Sequence, residues 1–393
     1  MLITRLYKEF FDSEKTGGLI LIVMTVVSMI LANSQWGDSY MDFWNMKAGD
    51  HTIVHWINDG LMAIFFLLIG LELEREINEG DLSNLKNASL PLFAAIGGMI
   101  VPAGIFLLLN FGTNAQSGAG IPMATDIAFA IGILSLLGKK VPASLKIFLT
   151  ALAVIDDLGA IIIIAVFYTG SLSMMNFLIA LAIFVLLIVL NRLKVYSLIP
   201  YLIGGIIMWI FMSNSGIHAT ITGVLLAFTI PFRKGSDESP SYRLQHFLHK
   251  PVALFILPLF ALANTSLVID SDILSELSGN HSIGIMAGLF IGKPLGIILF
   301  SFLGVSLGLS SIPPELKWKN ITGIGFLAGI GFTMSIFISI LAFESPELIN
   351  ISKISVFVGS LLSGIAGLII LGLSLKNQPE IEGNKGSQTI LQE

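Results

Sequence analysis

No cysteine occurs among the 393 residues, so the chain has neither a disulfide framework nor thiolate ligands for a metal. Charge is scarce as well. Asp, Glu, Lys and Arg make up 12% of the sequence, against about 25% in an ordinary soluble domain. There is no glycine-rich phosphate loop and no nucleic-acid-binding motif, which argues against a machine driven by ATP or built on DNA or RNA. A convincing small-residue cleavage site is also missing after the first apolar run, which ends in "ILANSQWGDSY", so that run reads as a retained helix. What is abundant is apolar surface: 54% of residues are hydrophobic and the mean hydropathy is +0.87. Runs near the ~20 residues needed to cross a bilayer recur along nearly the whole length. The expected class is an all-α polytopic membrane protein.

Twelve apolar segments are expected, at 17–33, 56–74, 88–110, 120–138, 147–169, 176–190, 198–212, 217–230, 251–269, 283–303, 323–343 and 354–375. An even number places both termini on one side. Of the 21 Lys and Arg, 18 fall in the termini and the even-numbered loops, as in "GKKVPASLK" and "NRLK". Only Lys47 and Lys353 lie on the other side, with Lys293 inside a span. That bias places both termini in the cytoplasm. One membrane domain over 1–376 is expected, followed by a polar, disordered cytoplasmic tail at 377–393. The first external loop, 37–56, has aromatic and β-branched residues on either side of "KAGD" and reads as a small hairpin. It is either an amphipathic lid on the membrane surface or an edge that pairs with a second protomer.

The polar residues inside the spans are few. "ALAVIDDLGAIIIIAV" (151–166) carries Asp156 and Asp157 side by side. A central Asp costs ~2.5–3.5 kcal/mol to insert, whereas each Leu, Ile or Val returns only ~0.3–0.6 kcal/mol. Residues that costly inside a membrane usually face a cavity or a partner and mark an ion or proton path. Comparably deep are Asp126 in "GIPMATDIAFAIG", Lys293 in "GLFIGKPLGI" and His218 in "GIHATITG"; Asp59 and Glu72 lie near opposite ends of the second span. Adjacent helical residues point about 100° apart, so the two Asp face different neighbours. One of them could be no more than the structural partner of Lys293, but one cation cannot neutralise both. Three deep Asp against one Lys leave a surplus of negative charge, which attracts a cation.

The backbone gives a second signal. Pro122, Gly120 and Gly132 surround Thr125 and Asp126, and "GIGFLAGIGFTMSIF" (323–337) has glycines at 323, 325, 329 and 331. Taken singly, the glycines fit close helix packing equally well. Together with Asp126 they predict two spans broken midway, the pattern of transporters built from inverted repeats. A broken helix leaves ends of about +0.5 and −0.5 charge inside the membrane. Asp126 is expected to compensate facing N-termini and Lys293 facing C-termini. Pro294 disfavours helical geometry at Lys293 and frees a carbonyl below it.

Together, "PMATDIAFAIG", "ALAVIDDLGAI", "GIHAT", "LPLFALAN", "GKPLGI" and "GIGFTMSIF" resemble the NhaA sodium/proton antiporters of bacterial inner membranes, in order and spacing over nearly the whole chain. The resemblance implies twelve helices, with the third to fifth and tenth to twelfth forming inverted repeats and the fourth and eleventh broken and crossing. It also implies Asp156 and Asp157 as carriers of Na+ and protons at the base of a cytoplasmic funnel, and Thr125 and Asp126 at the crossing. Lys293 is then the buried cation able to pair with Asp156. The external hairpin is implied to mediate a homodimer. At the cytoplasmic mouth, "RLQHFLHKP" resembles a pH-responsive cluster of one Glu and two His. His246 and His249 are present, but Gln245 stands at the acidic position, which puts the activating pH in doubt. Solvated interfacial histidines are the plain alternative. Glu72, in the acidic run "LELEREINEG", and His218 match further positions of that response. The alternatives are a solvated helix end for Glu72 and a hydrogen-bonded core residue for His218.

The expected activity is electrogenic, pH-regulated exchange of one cytoplasmic Na+ or Li+ for two external protons, competing for the same carboxylates, with a role in pH homeostasis. It needs no cofactor and is transport, not enzymatic turnover. An organic-anion transporter on the same fold would need more buried cations than Lys293. An intramembrane aspartyl protease would need its two Asp on separate helices, facing one scissile bond. A channel would need a ring of charges from identical subunits.

Overall fold

The structure, a computed structural model, describes residues 2–168, 172–235, 238–268 and 273–376. The expected tail at 377–393 lies outside the described residues. Among the described residues the chain is helical except for one two-stranded ribbon. The helices are α1 (Leu2–Ala32), α2 (Gly37–Asn45), α3 (Ile53–Asn78), α4 (Leu85–Asn110), α5 (Gln116–Met123, wound in 3-10 turns) and α6 (Ile127–Ser135). They continue as α7 (Ala143–Phe167), α8 (Met174–Arg192), α9 (Ile199–Ser213), α10 (Ile221–Ala227) and α11 (Pro240–Asn264). After a single turn at Ile273–Leu277 come α12 (Asn280–Ser306), α13 (Trp318–Ala328), α14 (Phe332–Ala342) and α15 (Pro346–Leu375).

Among the described residues, every apolar segment expected from the sequence falls on one of these helices or on a pair of them. By length and composition, eight helices among the described residues can cross a membrane, or up to ten if each bent pair is one span. The difference from twelve has a local cause. The segments at 198–212 and 217–230 form helices of 15 and 7 residues, shorter than the ~20 residues that span 30 Å of hydrocarbon. The many apolar helices make this a multi-pass membrane protein. α8 buries only Ala180 and Leu187, so most of its apolar surface is left for lipid.

The two segments rich in proline and glycine are interrupted. α5 and α6 are joined by three non-helical residues at 124–126, with Ala124 and Asp126 in extended conformation. α13 and α14 are separated at 329–331 and bent by 46°. Around them, α4 and α12 lie close enough that a Cβ on Gly97 would overlap the Gly296 carbonyl, and one on Gly296 the Gly97 carbonyl. Without a hydrophobic drive between helices in lipid, such close approach is what gains dispersion energy. It also fixes the position of Lys293, one turn before Gly296.

The loop at 37–56 contains the small hairpin expected from its sequence. Lys47–Ala48 pairs antiparallel with His51–Thr52 around Gly49, whose φ is +75°. The preceding residues are not strand but α2, an amphipathic helix folded onto the bundle. Its Tyr40 hydroxyl donates to the Leu262 carbonyl at 2.7 Å. Trp56 closes the loop by donating from Nε1 to the Ala48 carbonyl at 2.8 Å.

Gly97→Val and Gly296→Val are each expected to lower the melting midpoint in detergent, since forcing side-chain volume into a packed interface costs roughly 1–3 kcal/mol. Fluorescence-detected size-exclusion after a heating series measures it, with Gly104→Val, where a Cβ meets nothing within 4 Å, as the neutral comparison.

Candidate cation site at the crossing of two broken helices

Asp126 is the N-cap of α6. Its Oδ1 accepts from the Phe129 backbone N–H at 3.0 Å. Its Oδ2 accepts from the Thr333 backbone N–H at 2.9 Å and from the Thr333 hydroxyl. Thr333 lies in the first turn of α14, so one carboxylate serves the positive ends of two half-helices. The two breaks are also joined through the main chain, Asp126 N–H donating to the Ile330 carbonyl at 2.6 Å. Ser360 on α15 adds a third support: its hydroxyl oxygen accepts from the Gly331 and Phe332 N–H groups, both at 3.2 Å. Ser335 donates to the Ile121 carbonyl at 2.6 Å.

The opposite ends of the breaks are served by a cation and a hydroxyl. Lys293, fully buried, donates to the carbonyl of Met123 at the end of α5. The Thr125 hydroxyl lies 2.8 Å from the Ala328 carbonyl at the end of α13. Both groups also reach α7. Lys293 Nζ is 2.7 Å from Asp156 Oδ2, and Thr125 Oγ1 is 2.8 Å from the same oxygen. Thr125 has only one proton for two acceptors. It donates to Asp156 when that carboxylate is ionised and to Ala328 when Asp156 carries its own proton and donates instead.

Asp157 faces elsewhere, as the helical step requires. It is buried, and the charges acting on it are the carboxylates of Asp156, Asp126 and Glu72 against Lys293 alone. Among the described residues, Asp156 Oδ1 and Asp157 Oδ1 are buried with no hydrogen-bond donor. A buried carboxylate oxygen without a donor is costly and uncommon; it is satisfied by a proton or a cation. No group of three or more His, Cys, Asp or Glu suited to a resident metal occurs among the described residues.

The remaining expected residues are spread out. Glu72 and Gln245 are both buried and their side chains are hydrogen-bonded to each other, with Arg75 and Glu76 beside Glu72. His249, one turn after Gln245, is half-buried and within range of the Arg75 charge. His246 is exposed. The structure therefore joins Glu72 to Gln245, sets His249 within range of the neighbouring Arg75, and leaves His246 exposed. His218 is bound through Nε2 to the Tyr168 carbonyl at 2.8 Å, apart from the carboxylate pair, with Asp59 as its charged neighbour. Thr333, Ser335 and Ser360 were not singled out from the sequence. Thr333 carried a signal, since it follows the glycines of one break as Thr125 precedes Asp126 in the other. Ser360 carried none.

The architecture is that of an antiporter of known structure. The sodium proton antiporter MjNhaP1 from Methanocaldococcus jannaschii superposes with a TM-score of 0.54 over 96% of this chain and 99% of that one, at 14% sequence identity. The sequence profile of the Na+/H+ antiporter 1 family matches residues 8–371, and the chain belongs to that family. Among its relatives, Na(+)/H(+) antiporter NhaA 1 of Flavobacterium johnsoniae is 65% identical over 94% of this chain and 97% of its own length. Na(+)/H(+) antiporter NhaA of Flavobacterium psychrophilum is 64% identical over 96% and 98%.

Replacing Asp126 with Ala removes the acceptor for two helix N-termini, and at about 1 kcal/mol per lost N-cap the expected cost is roughly 2 kcal/mol. Asp126→Asn keeps one acceptor oxygen and should cost about half of that. Thermal midpoints of the purified variants measure both.

Proposed function

We propose that the chain exports Na+ from the cytoplasm in exchange for external protons, and that Asp156 and Asp157 carry both. Antiport of sodium and protons is the coarse reading that family membership supports. The finer one rests on a single observation: two adjacent buried carboxylates, each with an oxygen lacking a donor, beside one ammonium that can serve only one of them. A cation arriving at Asp157 and Asp156 takes the place of protons there, with Thr125 turning its proton to the Ala328 carbonyl so that its oxygen faces the ion. Lys293 is the competitor already within the site, and withdraws as the cation takes Asp156 Oδ2. Release to the outside leaves carboxylates that reload with protons.

Two protons per cation move one net positive charge inward per cycle, so the membrane potential contributes ~2.3 kcal/mol per 100 mV. The second proton belongs to the coupled pair of Asp156 and Lys293. Lithium substitutes for sodium, because oxygen ligands and negative charge are all the site supplies. Asp126 and Lys293 compensate the half-helix ends. Glu72, His249 and His246 tune activity with pH at the cytoplasmic mouth, and His218 does so from its bond to Tyr168. Gln245, uncharged, shifts that tuning away from the usual acidic cluster.

The same reading includes twelve crossings, with α9 and α10 completed by their flanking turns, and inverted repeats built on α4 to α7 and α12 to α15. The chain forms one membrane domain in a bacterial inner membrane, with both termini cytoplasmic. It assembles as a homodimer through the Lys47–Thr52 ribbon and works without a cofactor.

The test is cation-induced dissipation of a pH gradient in proteoliposomes with NaCl, LiCl and KCl from pH 6 to 9. Sodium and lithium are expected to dissipate the gradient and potassium not, with Asp157→Asn inactive; full activity in Asp157→Asn would sink the assignment. Gln245→Glu should displace the pH profile while leaving the maximal rate near its original value. An unchanged profile would remove Gln245 from the pH response.

A further inference from the structure

Lys293 stands at the end of a helical irregularity, just before Pro294. Residues Gly288–Gly292 of α12 form a π-turn, in which the Lys293 N–H donates to the Gly288 carbonyl five residues back. In an α-helix that N–H would go to Leu289. The donor that a continued π-helix would offer Leu289 is the N–H of residue 294, which is proline and has none. The Leu289 carbonyl is thus deprived of both helical donors, in the bundle core, where an unmet acceptor is expensive. It is approached by the Ser363 hydroxyl of α15, which donates at 3.4 Å. Gly329, in the break between α13 and α14, leaves the space for that carbonyl; a Cβ there would overlap it.

The consequence is directional. One extra residue in a turn redirects the side chains that follow by about 100° relative to an uninterrupted α-helix. In the π register the Lys293 ammonium meets Asp156 Oδ2 at 2.7 Å. Were Lys293 N–H to return to Leu289, the ammonium would swing away from that oxygen. Ser363 favours the register seen here by giving the Leu289 carbonyl a donor where the π-turn leaves it without a helical one.

The geometry points to Ser363 as a positioning residue for the exchange: by holding the Leu289 carbonyl it keeps the π-turn, and through it keeps Lys293 on Asp156 against the incoming cation. This rests on the reading of Asp156 and Asp157 as the exchange site. Loosening the π-turn weakens the internal competitor, so Ser363→Ala binds Na+ more tightly while Ser363→Thr, which keeps the hydroxyl, binds it as the unaltered protein does. A packing role alone would not produce that pattern.

The experiment is 22Na+ binding to the detergent-purified full chain by scintillation proximity at fixed pH, which needs no transport. Ser363→Ala is expected to tighten binding about threefold, the weight of one long neutral hydrogen bond. The same change in a Lys293→Ala background should have no effect, because the competitor it positions is gone. An unaltered affinity in Ser363→Ala, an equal shift in Ser363→Thr, or a shift that persists without Lys293 overturns the positioning role. Should Ser363→Ala not fold, Ser363→Cys, a weaker donor of similar shape, carries the same comparison. If Asp156→Asn bound Na+ like the unaltered protein, the exchange site itself would be misassigned, an outcome distinct from failure at Ser363.

Discussion

Asp126 accepts hydrogen bonds from the first turns of two helices that begin in mid-bundle, at Phe129 and Thr333, and the rest of the site is arranged around that constraint. Two helices broken inside a membrane expose four ends, each with backbone groups that lipid cannot satisfy. Pointing both N-termini at one carboxylate concentrates two partial positive charges on one full negative one. The two C-terminal ends then lie across from it, and what they need is a donor. Lys293 supplies it at Met123 and Thr125 at Ala328. Lys293 and Thr125, which make the breaks tolerable, are also the partners of Asp156.

That economy explains the odd environment of α7. Asp156 faces Lys293 and Thr125 with a single oxygen; the ammonium also serves the Met123 carbonyl, and the one Thr125 proton goes either to Asp156 or to the Ala328 carbonyl. Neither is free to satisfy Asp157, one helical step away. The core therefore holds a second carboxyl group that Lys293 does not pair with, its donorless oxygen left for a proton or a cation, beside the Lys293–Asp156 pair. An ion pair in a low-dielectric interior is strong in Coulomb terms yet offset by the desolvation of both partners, so the Lys293–Asp156 pair adds little net stability. A pair optimised for stability alone would not leave a second carboxylate beside it.

Gln245 meets Glu72 as an uncharged partner in a cluster that also holds Arg75 and Glu76. Gln245 is buried against Glu72 by a side-chain hydrogen bond, which a second carboxylate could make only by sharing a proton. On the opposite face, α2 and the short ribbon fold back on the bundle through Tyr40 and Trp56. The loop at 37–56 is thus a packed element of the fold.

Much of the site was legible in the sequence because membrane insertion penalises it. Asp126, Asp156, Asp157 and Lys293 stand out against aliphatic surroundings, and Pro122 with the glycines at 323–331 marked both breaks. The apolar segments were legible for the same reason, except where α9 and α10 turned out shorter than a bilayer, since hydropathy records which residues tolerate lipid and not where a helix ends. What only the tertiary structure decided is which end meets which charge, and which hydroxyls complete the network. Ser360 at the start of α14 and Ser363 at Leu289 are small polar residues in an apolar helix, and small polar residues are common wherever membrane helices pack closely. Composition fixes that a buried carboxylate must find donors. The donors from elsewhere in the chain are Thr333 of α14 for Asp126 and Lys293 of α12 for Asp156, and only the close crossing of the broken helices with α7 and α12 brings them within hydrogen-bonding distance.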